Sequence, residues 1–208
     1  MTDKRTVLLI RPENIYHYNN YPSLGLICLG SKLKEAGFSV VIINSSLEKN
    51  ILKTLEEYLA RDILLIGISL LTSEAADAYR IIQFIKERSN VPIVTGGWHC
   101  TLFPEQMEAF KPVDYVIAGE GEDHLVDLAR QLSLGLRPSR KVFSKKMLDM
   151  ETLPFPDYSL DVNIENFISN YLTDKLSERV VQPMRWLPYE SGRGCPSQCA
   201  FCINVVTG

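Results

Sequence analysis

Between Thr6 and about Leu136 the chain alternates short apolar runs rich in β-branched residues with longer stretches whose apolar positions recur at helical spacing. That alternation predicts a parallel sheet with crossover helices. Five runs read as strands: residues 7–10, 39–43, 63–69, 92–95 and 114–118. Each is nearly continuously apolar, as a strand covered on both faces has to be.

The helices between them have legible ends. The first is expected over 24–36, closed by Gly37. The second is expected to open at Ser45, with Ser45 and Glu48 spaced as a capping box. The third starts near Ser73 and carries Ala75, Tyr79, Ile82 and Ile85 on one face, with Lys86, Glu87 and Arg88 at its solvated end. Shorter helices are expected after Pro104 and Glu120. Right-handed βα units of this kind build an α/β, doubly wound, flavodoxin-like (Rossmann-type) five-stranded parallel sheet of order 2-1-3-4-5. Such a sheet places its ligand beyond the carboxyl ends of the strands, so the loops there are where function is sought.

After Gly135 the pattern changes. Pro138, Pro154, Pro156 and Pro183 punctuate a stretch with one short apolar helix expected near 164–172, and residues 185–190 read as a possible new strand. The expected organisation is a Rossmann-like domain over 1–137, a linker over 138–184 that wraps it, and over 185–208 the beginning of a second domain that is cut short. The balance of 46% hydrophobic and 23% charged residues in 208 excludes disorder, and a net charge of -3 gives no electrostatic reason to bind nucleic acid. The polar residues 1–5 lead into an apolar run too short for a signal peptide, and no run is long enough to span a membrane. The expectation is a cytoplasmic protein without membrane or nucleic-acid partners.

Cysteine placement adds the first chemistry. Cys195, Cys199 and Cys202 crowd into eight residues, whereas Cys28 and Cys100 stand alone. A disulfide scaffold would space its cysteines through the fold, so the clustering points to a metal site in a reducing compartment. Thiols at C-x3-C-x2-C can converge on one small cluster, because each gap spans a single loop turn, and soft thiolates select iron–sulfur clusters or zinc. Three ligands leave one iron of a four-iron cluster open. Zinc needs a fourth ligand, and no further His or Cys lies near enough in sequence to be its obvious source.

The run Gly192-Arg193-Gly194-Cys195-Pro196, with Phe201 just before the third cysteine, resembles the cluster motif of radical S-adenosylmethionine (SAM) enzymes. The resemblance implies that Cys195, Cys199 and Cys202 ligate a [4Fe-4S] cluster whose open iron binds SAM. Five further segments, in order, resemble the N-terminal cobalamin-binding domain of B12-dependent radical SAM proteins. They are Pro22-Ser23-Leu24-Gly25-Leu26, Gly67-Ile68-Ser69, Gly96-Gly97-Trp98-His99, Gly119-Glu120-Gly121-Glu122 and Leu153-Pro154-Phe155-Pro156-Asp157-Tyr158.

These loops also have a direct reading. Ser69, Thr72 and Ser73 lie where the third strand gives way to a helix, so their hydroxyls and the helix amides suit a phosphate or the edge of a nucleotide tail. Capping by Ser73 explains them about as well. Gly96 and Gly97 let the backbone approach a flat ligand, or make a tight turn. Gly119, Glu120 and Gly121 read as ligand-facing and Glu122 as structural near a helix start. His99 stands beside the glycine pair, at the expected corrin edge. The D-x-H-x-x-G signature that supplies a lower histidine to cobalt in other cobalamin-binding domains is absent, since His17 lacks the preceding Asp. The radical SAM relatives share that departure and hold cobalamin base-off. His17 and His124 are expected at the surface.

The resemblance implies the cobalamin-binding portion of a B12-dependent radical SAM enzyme that transfers methyl groups to unactivated carbon or phosphorus centres, although relatives with this domain pair also close rings or rearrange skeletons. It implies a small-molecule substrate, a C-terminal radical SAM barrel and an electron donor for the cluster. The 208 residues alone are expected to be inactive. Two other readings stand beside it: a non-catalytic cobalamin- or metal-binding module, and a docking domain that has lost cobalamin binding.

Overall fold

The computed structural model describes residues 5–16, 21–139, 142–145, 148–170, 187–195, 197 and 199–202. Strands β1 (Thr6–Arg11), β2 (Ser39–Asn44), β3 (Ile63–Ser69), β4 (Ile93–Gly96), β5 (Tyr115–Gly119) and β6 (Val142–Lys145) form one sheet in the order 2-1-3-4-5-6, every pair parallel. The five expected strands occur in the expected order. The sixth, in the stretch read as linker, extends the sheet past β5.

Helices α1 (Leu24–Glu35) and α6 (Glu122–Ser133) cover one face. On the other lie α2 (Ile51–Leu59), α3 (Ala75–Lys86), α4 (Trp98–Leu102) and α5 (Pro104–Ala109). The two-residue period of β1 divides its side chains between these layers: Val7 and Leu9 pack with α1 and α6, while Leu8 and Ile10 pack with α2 and α3. Leu125, Val126, Leu128, Ala129 and Leu132 give α6 its buried stripe over three full turns, so it is longer than expected. The five-residue α4, right after β4, had no expectation at all.

Asparagines, rather than Ser45, govern the entry to α2. The Asn44 side chain accepts from the Ser46 amide and closes a 3-10 turn over Ser45–Leu47, and α2 starts later, capped by Asn50 through the Lys53 amide at 3.2 Å. Both are the short-range backbone bonds that Asn side chains favour. The Glu48 carboxylate, expected to complete a capping box, instead accepts from Thr54 Oγ1 at 2.7 Å and Asn163 Nδ2 at 2.9 Å.

The chain after β6 is fastened to α1 and β2. Lys32 Nζ donates to the Thr152 carbonyl at 2.6 Å, the Asp157 amide to Ser31 Oγ at 2.8 Å, and the Val162 amide to the Ile42 carbonyl at 3.1 Å. Leu160 enters the core over Gly30. The short helix α7 (Ile164–Asn170) follows; the remainder of the expected helix lies outside the described residues. Residues 187–190 take no regular structure, while 185 and 186 lie outside the described residues. Among the described residues no helix is long and apolar enough to cross a membrane.

Candidate functional site

A cavity of about 350 Å³ opens at the carboxyl ends of the strands. Ser69 lines it at the end of β3, Gly96, Gly97 and Trp98 at the end of β4, and Gly119, Glu120, Gly121 and Glu122 between β5 and α6. The first turns of α1, with Leu24, Gly25 and Leu29, form the facing wall. A Cβ on Gly25 would meet nothing within 4 Å, so the bare backbone there leaves room that a larger residue would fill. Glu190 and Arg193, from the segment before the clustered thiols, line it as well.

One side chain ties the two glycine loops together. Thr101 Oγ1 donates to the Gly97 carbonyl at 3.0 Å and accepts the Gly119 amide at 2.8 Å. Gly97 itself has φ +89°, a conformation side chains rarely adopt, and its neighbours are bonded to β3's exit: the Leu70 amide to the Gly96 carbonyl at 3.0 Å and the His99 amide to the Leu70 carbonyl at 3.2 Å.

The nine residues expected to face a cofactor divide. Ser69, Gly96, Gly97, Gly119, Glu120 and Gly121 line the cavity; Thr72, Ser73 and His99 do not. Ser73 Oγ accepts from Asn14 Nδ2 at 2.7 Å, and its carbonyl accepts the Ile15 amide at 3.1 Å, so it secures the segment after β1. His99 lies behind the loop, 3% exposed, with Nδ1 3.1 Å from Thr72 Oγ1 and its ring against Phe103. Because α4 starts at once after Gly97, its first turn carries position 99 away from the cavity. Burial pushes the His99 imidazole below its ordinary pKa, and among the described residues Nε2 has no hydrogen-bond partner. His17 lies outside the described residues, and His124 is half-buried on α6 rather than fully on the surface.

Glu122, read as structural, is buried and forms an ion pair with Arg193 at 2.7 Å. Burial opposes the charge on Arg193, but the carboxylates of Glu190 and Glu122 outweigh it and hold its pKa above the ordinary value. Thr101, Glu190 and Arg193 are the site residues that the sequence reading missed. Only Arg193 carried a signal, as the second residue of the Gly-Arg-Gly-Cys run.

The three clustered thiols are free, with Cys195 and Cys199 exposed and Cys202 half-buried. The Cys202 amide donates to the Cys199 carbonyl at 2.9 Å, a turn that begins to fold the loop on itself. Among the described residues no three His, Cys, Asp or Glu side chains are gathered at metal-binding distance, so the structure presents the donors without their convergence. The donor set itself, three accessible thiols within eight residues, suits a soft metal centre. The other two cysteines do not: both are buried, and burial raises the Cys28 pKa and pushes that of Cys100 up to about 12. Each stays a protonated thiol at neutral pH.

Residues 15–129, which supply all of the cavity lining but Leu9, Glu190 and Arg193, match the family model of the B12 binding domain. The chain belongs to the B12 binding domain family. An uncharacterized methyltransferase of Pyrococcus horikoshii is 30% identical to it over 203 residues, 88% of this chain and 40% of the relative. Similarity at 27% identity extends to the anaerobic magnesium-protoporphyrin IX monomethyl ester cyclase of Synechocystis sp., over 87% of this chain and 38% of that one. It extends at 27% identity to the bacteriochlorophyllide d C-8(2)-methyltransferase of Chlorobaculum tepidum, over 67% and 28%. This B12-binding chain thus spans about two fifths or less of the length of these relatives. Its fold is similar to part of the radical SAM methyltransferase TsrM from Kitasatospora setae, with a TM-score of 0.59 and 24% identity over 64% of this chain and 27% of that one, in a structure with cobalamin and a [4Fe-4S] cluster bound.

Proposed function

We propose that this B12-binding chain is the corrinoid-holding part of a B12-dependent radical SAM enzyme, that its reaction is methyl transfer to an unactivated carbon or phosphorus centre, and that Cys195, Cys199 and Cys202 ligate a [4Fe-4S] cluster. One observation carries the reading: Arg193, two residues before the first clustered thiol, lines a cavity built almost wholly from residues of the B12 binding domain match. Two of the relatives described above are named methyltransferases, which supports the reaction class.

The residues present fit a corrinoid held by one arm. Small-molecule cavities span ~300–1,000 Å³, and this one stands at the low end, so it would hold one arm of a corrinoid rather than the whole molecule. Gly96, Gly97, Gly119 and Gly121 allow backbone to lie against a flat ring, and Ser69 offers a hydroxyl beside them. When bound, cobalamin supplies a transferable methyl group and the cluster supplies the electron that cleaves SAM. The exposed thiols need covering from elsewhere, so the reading includes a radical SAM barrel, an electron donor and a small-molecule substrate as partners. It also includes an inactive 208-residue chain when those are missing.

The test is anaerobic incubation with hydroxocobalamin, gel filtration and a visible spectrum of the protein peak, together with iron and sulfide content after reconstitution. Stoichiometric corrinoid with a base-off spectrum, and iron lost in the C195A/C199A/C202A variant, are expected. A colourless peak from folded protein would establish the docking-domain reading instead. Iron uptake indifferent to the three thiols would overturn the cluster assignment.

A further inference from the structure

Arg193 is held by more groups than a surface arginine needs. Its side chain is 11% exposed and meets three carboxylates. Nη1 lies 2.7 Å from Glu122 Oε1 and 3.4 Å from Glu120 Oε1, while Nε donates to Glu190 Oε2 at 2.7 Å. Glu120 and Glu122 belong to the cavity wall between β5 and α6, and Glu190 belongs to Arg193's own segment. Two different nitrogens are therefore engaged at once, in directions set by the planar guanidinium. A lysine ammonium is a single point charge on a flexible stem and does not reproduce that fork. Without the cation, three carboxylates, one of them buried, would face one another.

Both supports of this contact are themselves fixed. The second oxygen of Glu120 accepts the Leu148 amide. Ahead of Glu190, the Tyr158 hydroxyl donates to the Pro188 carbonyl and Tyr189 stacks on Phe155 with ring centroids 6.5 Å apart. Beyond Arg193 the character of the chain changes: Gly194 takes φ +80°, and Cys195 is exposed. Arg193 is thus the last firmly held side chain before the thiol loop, and what holds it is the cavity wall.

We infer that Arg193 is a positioning residue that sets the thiol loop in register with the corrinoid cavity through the guanidinium shared by Glu120, Glu122 and Glu190. Loop and cavity are then coupled, since any displacement of Glu120 or Glu122 is felt two residues from Cys195. The inference rests on the proposed cluster reading for its purpose and on the geometry alone for its mechanics.

The experiment compares wild type, R193A, R193K and the surface control R130A in the full chain. Amide hydrogen exchange across 187–202 in the cofactor-free protein reads the anchor, and the EPR spectrum of the reduced, reconstituted protein with and without SAM reads the cluster. R193A and R193K are expected to exchange at least tenfold faster across 187–202 while peptides of β1 to β5 stay protected, and to show an altered EPR line shape. R130A is expected to match wild type. R193K retains charge and most of the bulk, so it decides the matter if R193A does not fold. Unchanged exchange and spectrum in either variant, or full rescue by lysine, would overturn the inference. Wild type that takes up no iron would sink the cluster reading, and the exchange data would still judge the anchor separately.

Discussion

A Cβ on Gly97 would stand 2.8 Å from the carbonyl oxygen of Leu70 and 2.9 Å from Ser69 Oγ. The cavity wall is therefore closed by contact between backbones, with no space for any side chain at position 97. Because φ is +89°, a substituted residue meets strain and collision together. G97A is expected to lower stability by about 1–3 kcal/mol and to abolish corrinoid retention on gel filtration. Retention at wild-type level would show that the β4 loop is not part of the binding wall.

Thr101 bonds both glycine loops through one hydroxyl. T101V keeps the volume and removes the bonds, leaving the Gly119 amide and the Gly97 carbonyl without that partner. A stability loss of about 1–2 kcal/mol is expected, accompanied by weaker corrinoid binding in a spectrophotometric titration. T101S, which restores the hydroxyl, should recover most of the affinity. Equal affinities for the Val and Ser variants would argue that the loops hold their shape unaided.

Ser31 Oγ donates to the Ile27 carbonyl at 2.7 Å and accepts the Asp157 amide at 2.8 Å, across 126 residues of sequence. S31A removes the only acceptor shown for that amide among the described residues. The expected result is a loss of about 1 kcal/mol in urea unfolding and faster amide exchange over 150–160, with β1 to β5 unaffected. Exchange there unchanged would mean that Lys34 and the Leu160 contact suffice to hold the segment.

Asp161 is 2% exposed, and burial pushes its carboxyl from 3.8 up to about 6, against the opposing pull of the Asn163 amide and Arg11. The folded state thus favours the protonated form. Its stabilising contribution is complete below the unfolded value of 3.8 and is lost as pH rises through about 6. D161N retains a carbonyl oxygen that can accept the Asn163 amide and cannot ionise. Its stability relative to wild type is expected to rise between pH 4 and pH 7, by at most about 3 kcal/mol, as read from urea unfolding at both pH values. Parallel pH curves for the two proteins would rule out ionisation of this carboxyl as a cost to the fold.

How much of this was legible follows from the range of the interactions involved. β1 to β5 were readable because a strand buried on both faces must be continuously apolar, and that constraint is written in consecutive residues. β6 was not, since Val142 to Lys145 is a four-residue strand with no apolar run, and its pairing with β5 creates it. The capping box at Ser45 and Glu48 failed because Asn44 and Asn50 offered the backbone closer partners, and Glu48 found Thr54 and Asn163 instead.

The sequence by itself determined the layered sheet, the glycine loops at its carboxyl edge and the thiol spacing, because each is a local pattern enforced within a few residues. It could not determine which neighbours of those loops face the cavity. His99 turns behind the wall because α4 starts at residue 98, and Thr101 joins two loops from a helix too short to show a period. Arg193 meets Glu120 and Glu122 across about 70 positions, a contact that charge alone cannot specify in a chain with 22 Lys and Arg and 25 Asp and Glu. Contacts of Tyr158 with Pro188 and of Phe155 with Tyr189 hold the segment ahead of that guanidinium, so the meeting of thiol loop and cavity belongs to the tertiary structure.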